Sequence, residues 1–267
     1  MGSNTHFLSV IVPIYKQEKT IEQDLINIDQ TLQKIRYDYE IIAIVDGKNV
    51  DNSYKLAKKC KISKLKVFTY NRNKGKGYAV RYGMAHTIGD YIAFIDAGME
   101  IDPNGISMVL EHMEWYNADI IVASKKHPAS QINYPLQRRI ISFGAFLIAK
   151  ILLGITIHDT QAGLKIFKRK VLKKVLPRLL VKNYAFDLEI LSVANRLGFK
   201  RIYEAPVKLH YSFDDLTHAT GLKTIYNSLI AALSVFYRLR ILHYYDDQNK
   251  RQWIYDKDLD MRINTGK

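Results

Sequence analysis

Leu8–Ile14 (LSVIVPI) is an unbroken apolar run, largely β-branched and ended by Pro13, the pattern of a strand covered on both faces in a parallel sheet. It predicts a central first strand. Ile21, Leu25, Ile28, Leu32 and Ile35 then recur every three or four residues, one apolar stripe of a helix for which Thr20 is the expected cap. The same reading predicts strands over Glu40–Val45, Leu65–Tyr70, Tyr91–Ile95 and Asp119–Ala123, with helices over Asp51–Lys59, Gly77–Thr87 and Asn104–Tyr116. Such alternation calls for an α/β fold, a mostly parallel sheet with helices on both faces.

After about Ser130 the alternation fails. A basic and apolar segment, Arg138–Ile157, leads into an expected loop, HDTQAGLKIF, then a helix over Phe186–Leu197 and a last strand over Arg201–Val207 at a sheet edge. From Thr220 onward, Leu222, Ile225, Tyr226, Leu229, Leu233 and Phe236 mark one helix face, followed by Arg238, Arg240 and His243. This C-terminal amphipathic helix fits a membrane surface or partner, and equally a terminal helix packed on the core. The longest apolar stretch, Ile140–Ile157, is interrupted by Gly144, Lys150 and Gly154 and falls short of the roughly 20 apolar residues of a membrane span. The expected organisation is a start, 1–5, outside the fold, an α/β domain over 6–212 and a helical tail over 213–267.

Composition narrows the classes. The 267 residues carry 40 basic and 26 acidic side chains, a formal charge of +14, with 48% hydrophobic residues and only 14 Gly and 6 Pro, which excludes disordered and collagen-like chains. Cys60 stands alone and no Cys/His cluster has zinc-ligand spacing, so a disulfide scaffold or structural zinc site is excluded and a reducing cytoplasm is expected. Met1–Asn4 lack the basic region and apolar run of a secretory signal, and Gly2-Ser3 reads as an expression remnant. The positive charge favours an anionic partner: nucleic acid, anionic lipid or a phosphorylated substrate. Nucleic acid is disfavoured, because basic and acidic residues are interspersed and no recognised module appears.

Ligands of open α/β sheets sit beyond the carboxyl ends of the strands. Those ends carry Pro13-Ile14-Tyr15, Asp46, Asn71-Arg72-Asn73, Asp96 and Ser124-Lys125. An Asp or Asn there also starts helices and turns. Asp46 and Asp96 stand out because each directly follows an unbroken apolar strand, and NKGKG gains weight from its place after the third.

Six segments occur in order between Leu8 and Tyr211: VIVPIYKQE, RNKGKGYAVRYGM, DAGMEIDP, SKKHPASQINYPLQRRIIS, DTQAGLKIF and YAFDLEIL. In these the sequence resembles the inverting GT-A glycosyltransferases of family 2, most closely the polyprenyl-phosphate sugar synthases such as dolichyl-phosphate mannose and glucose synthases. The resemblance implies a GT-A fold with a nucleotide-binding sheet, and transfer of a hexose from a UDP- or GDP-sugar to dolichyl or undecaprenyl phosphate. It implies peripheral attachment at the cytoplasmic membrane face and a divalent cation, Mg2+ or Mn2+. The alternatives are a family 2 enzyme acting on a polysaccharide, protein or other lipid, and a catalytically weak sugar-nucleotide-binding protein.

By the same resemblance Asp96 is the main metal ligand, helped by Glu100, since the diphosphate's charge calls for a cation and the cation for hard carboxylate oxygens. The family's Asp-x-Asp is here Asp96 followed by Gly98, its Pro-x-Tyr-x-Glu becomes Pro13, Tyr15 and Gln17 with Glu18 next, and its paired Asp-Asp becomes Asp46-Gly47. Pro13, Tyr15 and Gln17 are implied around the base and ribose, Asp46 on the base side and Lys76 near the nucleotide. Asp102 before Pro103 reads as a helix cap. Lys125, in place of a usual Arg, with Arg138 and Ser142 matches the acceptor-phosphate group, and Arg139 is the neighbouring alternative. Lysine gives a point charge where Arg gives a fork. The resemblance has Asp159, Gln161 and Lys165 close over the diphosphate and sugar, with Lys165 stabilising the departing phosphate. Asp187 is implied as partner of a sugar hydroxyl or of the loop lysine. Glu189, two residues on, points about 200° away on a helix.

Overall fold

The computed structural model describes residues 6–130, 147, 150–183, 185–208, 222–249 and 252–264, with the backbone alone over 222–228. The first half alternates as its hydrophobic pattern requires: β1 (Phe7–Ile14), α1 (Ile21–Leu32), β2 (Asp38–Val45), α2 (Ser53–Lys59), β3 (Leu65–Thr69), α3 (Lys76–Ala85), β4 (Tyr91–Ile95), α4 (Gly105–Trp115) and β5 (Ile120–Ser124). β1 pairs in parallel with β2 and β4, so the first strand is central as expected. Thr20 precedes α1, but its hydroxyl donates to Gln17 Oε1 and Asp24 Oδ2 and does not cap the helix backbone. Asp102 likewise sits two residues early: its side chain accepts from the Asn104 N–H, and Asn104 is the residue that precedes α4.

The second half departs from the sequence reading. The expected loop HDTQAGLKIF contains a strand, β6 (Leu164–Lys168), followed by α5 (Arg169–Val175), α6 (Phe186–Arg196) and the edge strand β7 (Ile202–Pro206). β6 inserts between β4 and β5, antiparallel to both, and the sheet order is β3-β2-β1-β4-β6-β5-β7. Its Leu164 and Ile166 face one core while Phe167 faces the other, the period-two alternation of a strand. Lys165, its second residue, breaks the apolar run, which is why the pattern alone did not disclose it.

Two cores sandwich the sheet. One packs Ile21, Leu25 and Ile28 of α1, Ala57 of α2 and Val109 and Met113 of α4 against its first face. The other gathers Ala79 and Val80 of α3, Val171 and Val175 of α5, and Ile190, Leu191 and Val193 of α6.

The tail joins this second core. α7 (Leu222–Phe236) runs into a π-helical turn, Tyr237–Ile241, and buries Ala232, Val235 and Leu239. Tyr244 and Tyr245 follow into the same core, and a hairpin of β8 (Trp253–Asp256) and β9 (Met261–Asn264) ends the described chain. The tail is therefore more than a helix. Of the stripe named from sequence, Phe236 packs against this core, whereas Leu229 and Leu233 lie exposed, the latter at 46%, beside Ile230, Tyr237 and Ile241. Arg238, one of the basic residues that follow the stripe, donates to the Tyr245 hydroxyl at 3.1 Å. The earlier apolar segment is split in the same way, with Leu153, Ile155 and Ile157 buried and Ile151 69% exposed. Among the described residues no helix is long and apolar enough to cross a membrane.

Candidate active site

Asp46 ends β2 in a buried position, and its carboxylate organises the loop that follows β3. It accepts hydrogen bonds from the Tyr70 hydroxyl (2.9 Å) and Lys74 N–H (2.7 Å) on Oδ1, and from Asn73 Nδ2 and Gly75 N–H (both 2.9 Å) on Oδ2. Charge-assisted bonds of this kind are the strong ones, and they fix the start of α3. Gly75 sits at φ +96°, and a Cβ there would stand 2.4 Å from the Lys182 carbonyl oxygen, so the loop packs against the segment leading into α6. Tyr78 N–H also donates to that carbonyl, at 3.2 Å. The consequence is geometric: Lys76 and Asp187, distant in sequence, are brought face to face.

Four charges then alternate along the strand ends. Lys76 Nζ lies 2.7 Å from Asp96 Oδ2 and 3.8 Å from Asp187 Oδ2, while Lys165 Nζ lies 2.6 Å from Asp187 Oδ1. Lys165 is opposite Phe94 in the β4–β6 register, and both ammonium groups lie over the Phe94 ring, at 5.6 Å for Lys76 and 5.1 Å for Lys165. Lys165 is fully buried and also donates to the Ala162 carbonyl at 2.6 Å. Burial pushes its ammonium down from the ordinary lysine value, and the Asp187 carboxylate opposes that fall. Of the two partners expected for Asp187, the geometry supplies the loop lysine. Lys165 is thus a support for Asp187 with no surface to offer a departing phosphate.

Asp96 is also held by its backbone, whose N–H donates to the Gly163 carbonyl at 2.9 Å, and a Cβ on Gly163 would come within 2.7 Å of Asp96 Oδ2. Its Oδ1 is buried without a hydrogen-bond partner. An orphaned anionic oxygen at a strand end fits a hard divalent cation completed by diphosphate oxygens and water. Glu100 pairs with Lys125. Gly98 has φ +92°, its N–H donates to Asp24 Oδ2 at 3.0 Å, and the Gln17 amide nitrogen lies 3.5 Å from where a Cβ would be. The turn is therefore built around glycine, and an L-aspartate would be strained there. Gln17, through Thr20 and Asp24, braces that turn, while Tyr15, just past Pro13, is exposed at the mouth of the edge.

Beyond β5, Asp159 Oδ2 accepts from the Lys125 N–H at 3.0 Å, and the Asp159 and His158 N–H groups donate to Glu204 Oε1, both at 3.1 Å. Burial alone would raise the Glu204 carboxyl, but Ser124, the His158 ring and these N–H groups hold it below its ordinary value. Lys126 Nζ donates to the His158 carbonyl at 2.7 Å, and burial lowers its ammonium below the usual lysine value. Gln161 is exposed on the same loop. Arg138, Arg139 and Ser142 lie outside the described residues. Sequence reasoning missed Phe94, Gly163, Lys126 and Glu204; Gly163 stood within a quoted motif, whereas Glu204 on an edge strand gave no signal.

Among known proteins the model of "Glycosyl transferase family 2" matches residues 9–176. A dolichyl-phosphate beta-glucosyltransferase of Dictyostelium discoideum is 29% identical over 207 residues, 72% of this chain and 63% of that protein. A UDP-N-acetylglucosamine–dolichyl-phosphate N-acetylglucosaminyltransferase of Methanococcus voltae is 28% identical over 251 residues, 87% of this chain and 94% of that one. Among solved structures, mannosyl-3-phosphoglycerate synthase from Rubrobacter xylanophilus superposes with a TM-score of 0.66 at 16% identity, covering 92% of this chain and 77% of that one. Glucosyl-3-phosphoglycerate synthase from Mycobacterium tuberculosis, crystallised with Mn2+ and UDP-glucose, gives 0.62 at 17%, covering 86% and 80%. At such identity these two show the fold alone, the mostly parallel α/β sheet already described. With its strand-end carboxylates and lysines gathered on that sheet, and with the family model covering most of its length, this chain belongs to glycosyl transferase family 2 and is a glycosyltransferase.

Proposed function

We propose that the protein transfers a hexose, with inversion, from a UDP- or GDP-sugar to a polyprenyl phosphate at the cytoplasmic face of a membrane. The observation that carries the reading is the Asp96–Lys76–Asp187–Lys165 row at the strand ends, taken with the dolichyl-phosphate activities named for the relatives.

A phosphate monoester is an anionic nucleophile at neutral pH, so the chemistry needs orientation and charge more than a strong base. Lys125 would position the acceptor phosphate with Arg138 and Ser142, and Glu100 is the carboxylate it leaves to do so. In-line attack on the anomeric carbon expels the nucleoside diphosphate. Lys76 receives the growing negative charge, while Asp187, fixed by Lys165, orients Lys76 and meets the sugar side of the cleft. Pro13, Tyr15 and Gln17 border the nucleoside; Asp46 acts through the loop it organises. Asp96 and Glu100 are the residues to hold Mg2+ or Mn2+, which when bound would neutralise the diphosphate.

The exposed apolar groups of the tail support peripheral attachment. Ile230, Leu233, Ser234, Tyr237 and Arg238 border a shallow groove, and the Arg240 guanidinium lies against Gly154, in the same segment as exposed Ile151. Apolar side chains rimmed by cations suit the headgroup boundary of an anionic membrane.

The test is a donor and acceptor screen: labelled UDP-glucose, UDP-N-acetylglucosamine and GDP-mannose against a short polyprenyl phosphate, with and without Mn2+. A labelled lipid that appears only with the lipid phosphate supports the reading. Label passing to a polysaccharide or protein instead would overturn the acceptor assignment, and nucleotide binding without turnover would make the protein a binding module.

A further inference from the structure

We infer that Lys76 is the resident counter-cation of the donor site: it lets the cleft take a nucleoside diphosphate with no divalent cation present, and it competes with any such cation for Asp96. The inference rests on the donor reading above and deepens it.

Its geometric basis is the position of Nζ, 2.7 Å from Asp96 Oδ2 and 3.8 Å from Asp187 Oδ2. The side chain is only 17% exposed, and its backbone is clamped between the Asp46-bound loop and the Lys182 carbonyl. The ammonium therefore stands on Oδ2 of the same carboxylate whose orphaned Oδ1 a cation would approach, and it is held there by the fold. A second cation on that carboxylate would meet like charge at close range, where the local dielectric is below that of water.

The carboxylates also fall short of a cage. Gly98 offers no side chain, Gln17 is an amide, Glu100 is paired with Lys125, and Asp187 already holds Lys165. Among the described residues no group of three or more His, Cys, Asp or Glu is placed to hold a metal ion. In the four-charge row each carboxylate faces a lysine, so an incoming diphosphate meets an Asp96 already paired at Oδ2 and an Asp187 already held by Lys165. Once the diphosphate arrives, Lys76 can share its donors between Asp96 and a phosphate oxygen, as an ammonium with three N–H groups does. The missing acidic positions and the ammonium on Asp96 thus form one arrangement.

The experiment is calorimetry with UDP and with GDP on the full chain, in EDTA and in Mn2+, for the parent, Lys76→Met and Lys76→Arg. Electron paramagnetic resonance titration of Mn2+ alone accompanies it. The parent should bind one of the nucleotides in EDTA, with affinity changed less than about fivefold by Mn2+, the lower edge of ordinary coupling. Lys76→Met should lose about tenfold or more in EDTA, recover with Mn2+, and bind Mn2+ alone more tightly than the parent, because coupling between two cations at one carboxylate is reciprocal. Lys76→Arg, which keeps a cation, should retain binding in EDTA. Parent binding that needs Mn2+, or equal Mn2+ affinity in parent and Lys76→Met, overturns the inference while leaving the donor reading intact. If neither nucleotide binds under any condition, the donor reading fails and this inference with it. Thermal melts of the three proteins separate lost binding from lost folding, and a Lys76→Arg that melts like the parent yet fails to bind in EDTA also counts against it.

Discussion

The strand-end cluster, here proposed as the donor edge, and the outer face of the tail are built on opposite principles. At the donor edge, Asp46 satisfies loop N–H groups and Asp187 is shared between two lysines, so small displacements break strong, partly desolvated bonds. On the outer face of α7 and the following turn, Leu229, Ile230, Leu233, Tyr237 and Ile241 stand exposed over a packed underside of Ala232, Val235 and Leu239. The first region suits a small polyanion, whose recognition requires fixed donors. The second suits a deformable apolar phase, for which area matters more than register. The tail also reaches the donor edge: Asp258 on the hairpin accepts from Lys74 Nζ at 3.2 Å, and the Tyr245 hydroxyl donates to Glu189 of α6 at 2.6 Å. Removing the tail would therefore open the core as well as the surface.

The strongest way to break this contrast is Lys165→Met, which leaves Asp187 buried without its nearest partner. Breaking a buried pair from one side costs about 3–5 kcal/mol, and for a chain of this size the melting temperature should fall by about 10 °C. Pairing the change with Asp187→Leu should restore much of that loss, since an apolar pair of similar volume is well tolerated. A single variant as stable as the parent would show that the row is not a structural brace.

Next in size is a comparison of two leucines on one tail. Leu239→Ala, in the core, should cost about 3 kcal/mol through lost burial and a cavity. Leu233→Ala should stay within about 0.5 kcal/mol of the parent while lowering co-sedimentation with anionic vesicles. Equal stability losses at both positions would mean that α7 has no free face in solution.

A pH series tests the loop between the two regions. The carboxyl of Glu204 is lowered from its ordinary value of 4.5, so the folded state binds fewer protons there than the unfolded one. Its stabilisation is present above that pH and is lost as pH falls through the depressed folded value. Glu204→Gln should therefore flatten the acid limb of the melting curve and leave its shape above neutrality unchanged. An unaltered acid limb would place the titration elsewhere.

The smallest expected effect belongs to Arg240→Ala. One basic side chain near an anionic surface is worth about 1 kcal/mol, so vesicle binding should weaken a few-fold at low salt and converge with the parent at high salt. A loss that salt does not change would assign Arg240 to packing against Gly154.

How much of this was legible beforehand follows from the period of the pattern. The central strand β1, the helix stripe of α1 and the strand-end placement of Asp46 and Asp96 were readable because each rests on local alternation or on a strand's last residue. β6 was not, because a lysine in a five-residue strand erases the apolar run that would reveal it, and its antiparallel insertion between β4 and β5 is a matter of long-range pairing. The hairpin after residue 252 escaped for a related reason: Trp253, Ile254 and Tyr255 are all exposed, so no buried alternation marks it.

The sequence by itself determined the α/β class, the family, and which residue types stand at the strand ends, since these follow from hydrophobic period and motif order. The tertiary structure decided which charges meet. Lys76 finds Asp96 and Asp187 only because Gly75 lets its loop lie against the Lys182 carbonyl, and Lys165 reaches Asp187 only because β6 threads between two other strands. Which apolar face of α7 is covered was likewise settled by packing, because an amphipathic period marks a stripe but the depth of the neighbouring core selects the side chains that sink into it.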